Sequence, residues 1–215
     1  HLRAYIPLWI GAVLFFMITE QAAGKMATFA ESNTDLRLPF FGWSTTAEAY
    51  QSVNPAAIVL LAPLIGMLFT RRAGRFPSTI MKFVIAVLIV GLSALMLGYG
   101  FQIWPGGQDL SPWWFLVLVY VIQTVAELFL TPVGLSTTTA LAPKSFASQA
   151  MGLWWLSAAT GQGVAGFIIA QTKDISDSTY YYGLGAATLL MALVLLVVTP
   201  WTQRKMADVG VASQD

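Results

Sequence analysis

Two carboxylates stand in this sequence where a bilayer-spanning run should carry none. Glu127 lies in a stretch that opens at Trp113 and stays apolar to about Leu135, and Glu20 lies in one running from about Ile6 to Ala30. An ionised side chain at the middle of a membrane costs about 2.5–3.5 kcal/mol on insertion scales. Both must therefore look at protein or at a wet cavity. Gln123, Glu127 and Thr131 follow one another at i, i+4 and i+8 and share one helix face. Two readings fit that face: a structural carboxylate satisfied by a neighbouring helix, or a proton-titrating or cation-binding group in a transport path. Removal from water favours the neutral form of a carboxyl, which suits the second.

The region around Glu20 is equally polar. Glu20, Gly24 and Thr28 form one stripe, and Gln21 and Lys25 form the adjacent one. Glu20 either pairs with Lys25 or a neighbouring helix to hold the bundle together, or acts as a gate whose ion pair breaks on protonation. Asn54-Pro55 opens another apolar run. Asn is a favoured helix cap and Pro a favoured first-turn residue; the alternative is a side-chain amide turned into a cavity. Further on, Trp154, Ser157, Ala158, Gly161, Gln162 and Ala165 share a face. Its small residues suit close helix contact, while Trp154 beside Ser157 offers a cavity an apolar wall with one N–H.

The elements that would hold these residues are membrane helices. The chain has 215 residues, 57% hydrophobic and 10% charged, against about 25% charged in soluble domains; mean hydropathy is +0.69. About 20 apolar residues cross the hydrocarbon core, and six segments qualify: about 6–30, 53–70, 80–99, 113–135, 150–170 and 182–199. The fold class expected is all-α membrane. Arg3, Arg71-Arg72, Arg75, Lys144 and Arg204-Lys205 fall in alternate connections, and most acidic residues fall in the others. The positive-inside rule then puts both termini in the cytoplasm, in the cytoplasmic (inner) membrane. The chain begins with His1 and shows no cleavable leader, so it reads as a piece of a longer protein. With no Cys and only His1 as histidine, thiol chemistry, His-based catalysis and a His- or Cys-ligated metal are set aside. Paired-acid catalysis by Glu20 and Glu127 is the one enzymatic option, and it stands well behind transport.

Several short pieces in fixed order carry a resemblance. They are Glu20-Gln21, Ser32-Asn33-Thr34-Asp35, Gln51-Ser-Val-Asn54-Pro55, Pro77-Ser78 with Lys82, Glu127-Leu-Phe-Leu-Thr131-Pro132-Val-Gly134-Leu135-Ser136, Leu141-Ala-Pro143-Lys144 and Met151-Gly-Leu-Trp154-Trp155-Leu-Ser157. The chain resembles the C-terminal six-helix half of the proton-dependent oligopeptide transporters, within the major facilitator superfamily. That resemblance implies symport of di- and tripeptides with protons, no cofactor beyond the coupling proton, and no nucleic-acid partner. Its expected partners are the peptide, the bilayer and the N-terminal six-helix half. It implies that the Glu127 carboxylate faces the peptide's α-amino group, that Asn54 assists it, and that Trp154 and Ser157 shape the side-chain pocket. Glu20, with Gln21, takes the gating and proton-coupling place, opposite a basic residue of the other half. The family's E-x-x-E-R motif belongs to that other half, and Lys25 has no place in the pattern. A carrier for another small amphipathic or cationic solute and a non-catalytic helical membrane subunit are the alternatives.

Overall fold

A computed structural model describes residues 2–20, 24–40, 42–72, 79–141, 145 and 147–208. The elements are α1 (Leu2–Thr19), α2 (Lys25–Ser32), a 3₁₀ turn (Ala47–Ser52), α3 (Val53–Arg71), α4 (Thr79–Ile103), α5 (Trp113–Leu141), α6 (Ala147–Gln171) and α7 (Asp177–Asp208). No strand occurs among the described residues; three isolated bridges join loops. Five helices are long and apolar enough to cross a membrane, with a shorter apolar stretch at Tyr5–Thr19. Regular helix is the expected answer to a bilayer, because each N–H and C=O finds its partner inside the element.

The first apolar segment is not one helix over about 6–30, as its continuous hydropathy suggests. α1 ends at Thr19, and Gly24 just before α2 is non-helical at φ −109° and ψ −107°. The physical reason is the polar cluster itself. Glu20 and Lys25 are drawn to partners on different helices, described below, and a broken span is tolerated where it borders a cavity. Gln21 lies outside the described residues, as do Arg75, Pro77, Ser78, Pro143 and Lys144. The later helices overrun their apolar windows: α4 reaches Ile103, α5 reaches Leu141 and α7 continues to Asp208. Hydropathy marks only the stretch that lies in hydrocarbon.

α4 sits at the centre, packed on α7, α5 and α1, and α6 lies against α1 and α5. α3 leans chiefly on α5. Its other side is bare, with Val59 74% and Leu60 71% exposed and Leu64 and Met67 beside them. The core is apolar, from Phe15, Ile18, Phe83, Val87, Leu97, Leu116 and Leu130. At one end, rings close the bundle: Phe29 meets Phe101 edge-on at 4.9 Å, and Phe101 stacks on Tyr181 at 5.8 Å.

The connection between α2 and the 3₁₀ turn is stitched rather than loose. Asn33 Nδ2 donates to the Trp104 carbonyl at 2.7 Å, and the Asp35 and Ser111 backbone N–H groups donate to Ser111 and Asn33 carbonyls. Gly42, at φ +69°, sits in the turn of a small hairpin that pairs Arg37 with Ser44. Arg37 donates twice to the Asp35 carboxylate, at 3.1 and 3.2 Å. That side-chain contact, with the Arg37 backbone N–H, holds the Asp35 carboxyl below the ordinary carboxylate range.

Candidate functional site: a polar cleft between α1, α3 and α5

α5 is helical through the Glu127 region, so Tyr120, Thr124 and Glu127, spaced by four and three, stand in one row. α3 begins beside that row. Asn54, in its first turn, donates Nδ2 both to Thr124 Oγ1 at 2.8 Å and to Glu127 Oε2 at 3.2 Å. The Thr124 hydroxyl donates in turn to the Tyr120 carbonyl at 2.9 Å. The Asn54 side chain makes no cap bond here; its amide is turned across to α5, and the residue before it, Ser52–Val53, starts the helix without a side-chain cap. A neutral amide donor satisfies part of a carboxylate and leaves its charge in place.

A cavity of about 270 Å³ opens against this cluster. α1 contributes Phe15, Phe16, Thr19 and then Glu20 at its end; the 3₁₀ turn contributes Gln51; α3 contributes Asn54 and Pro55; α5 contributes Tyr120, Gln123 and Glu127. Both carboxylates singled out from sequence therefore line one cleft. Three amides line it with them. Gln51 Nε2 donates to the Tyr120 hydroxyl at 3.3 Å, and Gln123 Nε2 donates to Ser93 Oγ on α4 at 3.3 Å. The floor and one wall are aromatic. The arrangement offers two carboxylates, neutral donors and acceptors, and apolar surface, which suits an amphipathic solute bearing a cation.

Glu20 and Lys25 do not pair. Glu20 Oε2 accepts from Gln162 Nε2 of α6 at 2.9 Å. Lys25 Nζ instead meets Asp177 at the start of α7 in an ion pair and lies over the Tyr180 ring, 4.8 Å from its centroid. Lys25 thus has a structural partner away from the cleft.

Trp154 and Ser157 are not brought to the cleft. Trp154 is 1% exposed, and its ring packs edge-on to Phe16 at 5.8 Å, behind the cleft wall. On its other side it presses on Gly134 of α5, where an added Cβ would lie 2.2 Å from Cη2. Its indole N–H is buried with no partner. Ser157 is fully buried, and its hydroxyl donates to the Trp154 carbonyl. Sequence reasoning left Gln51, Tyr120 and Thr124 out of the site, and it missed Gln162, which does not line the cleft but holds Glu20. The signal for two of them was present, since Tyr120 and Thr124 precede Glu127 by seven and three residues on the same face. Nothing in the spacing points Gln162 toward Glu20, because that contact joins two helices.

A bundle with five helices among the described residues long and apolar enough to cross a membrane, and a cleft lined by two carboxylates, has the form of a membrane solute carrier. The family model described as the POT family (PTR2) matches residues 1–190. The chain belongs to the POT family, secondary transporters of the major facilitator superfamily and not enzymes. Among its relatives are Uncharacterized transporter YclF of Bacillus subtilis, 36% identical over 210 residues, and the Di-/tripeptide transporter of Lactococcus lactis subsp. lactis, 34% identical over 211. Each alignment takes in 97% of this chain and 42% of the relative, so the chain spans less than half the length of these curated relatives. A crystal structure of a POT family transporter in complex with a thioalcohol-conjugated peptide superposes with a TM-score of 0.85 at 33% identity, over 93% of this chain and 41% of that one. Another, in complex with 5-aminolevulinic acid, gives the same TM-score and identity over the same shares.

Proposed function

We propose that this chain is the C-terminal half of a proton-coupled symporter of di- and tripeptides, and that the polar cleft is its share of the substrate site. The observation that carries the reading is the convergence of Glu127, held by Asn54, and Glu20 on one cavity. In this reading Glu127 receives the peptide's ammonium group, and Asn54 fixes the carboxylate that does so. Glu20, at the end of α1, takes the gating and coupling part. Gln21, beside it in sequence, shares that part by resemblance alone. Trp154 and Ser157 shape the side-chain pocket from behind Phe16 rather than by lining it in this form of the cleft. The N-terminal half supplies the groups that hold the peptide carboxylate and covers the bare side of α3. Alternating access is the rocking of the two halves about a site near the midplane. No cofactor takes part; the proton is the coupling ion.

The bundle is oriented with both termini of this segment in the cytoplasm of a cytoplasmic-membrane protein. Arg71 and Arg72 close α3, and Lys82 near the start of α4 lies over the Phe69 ring at 4.4 Å. Those bases mark one end, while Asp35, Asp109 and Asp177 lie at the other.

A second reading has one observation in its favour. One similar structure was solved in complex with 5-aminolevulinic acid, a small amine-bearing acid. A carrier of small cationic or amphipathic solutes would use the same Glu127 contact. Proton-driven uptake of a labelled dipeptide by the full-length transporter in proteoliposomes separates the two. Competition by di- and tripeptides supports peptide symport. Competition by single amino acids with none by peptides overturns it.

A further inference from the structure

The two pieces of the first span are held by different helices. α1 is fixed to α6 at three levels. Trp9 Nε1 donates to the Leu153 carbonyl at 2.9 Å. Further along, Gly161 of α6 meets the α1 backbone so closely that a Cβ there would lie 2.9 Å from the Val13 carbonyl oxygen and 3.0 Å from the Met17 nitrogen. Small residues permit that approach. At the third level Gln162, the next residue, donates Nε2 to Glu20 Oε2. At its start α2 is tied to α7, through the Lys25–Asp177 ion pair and the Lys25–Tyr180 contact. Glu20 stands at the junction between the pieces, four residues before the non-helical Gly24.

We infer that Gln162 is the positioning residue for Glu20: its amide, donated from α6, aims the carboxylate into the cleft. The inference rests on the coupling role proposed for Glu20. The charged and titratable groups facing this point are Glu127 and Tyr120, across the cleft on α5; Lys25 is engaged by Asp177. A neutral amide can hold an ionised carboxylate without cancelling its charge, so Glu20 keeps its capacity to take up a proton or a basic partner. Gly161 sets the reach: any side chain there would push α6 off α1 and carry Gln162 away from Glu20.

The test compares Gln162→Met, similar in length but without N–H donors, with Gln162→Asn, which keeps the amide, in the full-length transporter reconstituted in proteoliposomes. Proton-driven accumulation of a dipeptide is expected to fall about tenfold in Gln162→Met, the loss of one hydrogen bond to a charged group. Counterflow exchange of the same dipeptide stays at the wild-type rate, and Gln162→Asn recovers accumulation several-fold over Gln162→Met. Equal behaviour of the Met and Asn variants overturns the inference, because filling space would then suffice. So does equal loss in both assays. Glu20→Gln run alongside separates the two claims. If that variant accumulates dipeptide normally, the coupling role of Glu20 fails and the role of Gln162 falls with it. If it is defective while Gln162→Met is normal, the role of Gln162 alone is overturned.

Discussion

Gly134→Ala is a small change at the tightest contact in the bundle. An alanine Cβ would lie 2.2, 2.4 and 2.6 Å from Cη2, Cζ3 and Cζ2 of Trp154, all under the 3.0 Å that real Cβ atoms essentially never breach. The indole cannot retreat freely, because it is 1% exposed and Phe16 stands edge-on to it at 5.8 Å. Replacing a helix-interior glycine by alanine normally gains about 1 kcal/mol of propensity. Overpacking a well-filled site costs about 1–3 kcal/mol, and a contact this short belongs at the upper end. The net expectation is a loss of about 1–2 kcal/mol, read as a lower unfolding midpoint of the full-length transporter in detergent. Gly183→Ala on α7 is the control, since nothing lies within 4 Å of its Cβ position; it should match or exceed wild type. Adding Trp154→Phe to Gly134→Ala should cost less than the two single losses combined, because the smaller ring vacates the clash. A Gly134→Ala protein as stable as the Gly183→Ala control would refute the packing of α5 on α6 described above.

Other consequences follow from contacts between elements. Lys25→Met and Asp177→Asn should each lower thermal stability, and the double variant should lose less than the singles combined, because a lone charge at a partly desolvated site is the costly state. Asn54→Leu should raise the KM for dipeptide about tenfold with normal expression, since Glu127 loses a charge-assisted donor. In the connection after α2, the depressed Asp35 carboxyl contributes order that is complete above its ordinary value of 3.8 and is lost as pH falls through its lower folded value. Exchange protection of the Arg37 backbone N–H, which donates to Asp35 at 3.0 Å, should therefore persist on acidification to that ordinary value. Loss of protection at a higher pH would contradict the contact.

The sequence made the helical class, the cleft face of α5 and the two carboxylates Glu20 and Glu127 legible, because each rests on local order. A charge inside an apolar run is visible to the eye, and the i, i+4 spacing of Gln123 and Glu127 survives any arrangement of neighbours. The break after Thr19 was not legible in hydropathy. Met26, Phe29 and Ala30 continue the apolar run, and the choice of Gln162 for Glu20 and Asp177 for Lys25 is made by helices more than 100 residues away. Trp154 shows the same limit. Its face on α6 follows from the 3.6-residue period, but Gly134 and Phe16, which enclose it, come from α5 and α1. Periodicity says which residues share a face; only packing says what that face meets.

The most direct measurement is uptake of a dipeptide and of its N-acetylated form by the full-length transporter carrying Glu127→Gln, against wild type, in proteoliposomes with a proton gradient. If Glu127 receives the peptide ammonium, wild type takes up the free-amine peptide in strong preference. The variant should then lose most of that uptake at normal expression and lose the preference with it. Normal uptake with the preference intact would contradict the assignment of Glu127 and, with it, the cleft as the amine end of the substrate site.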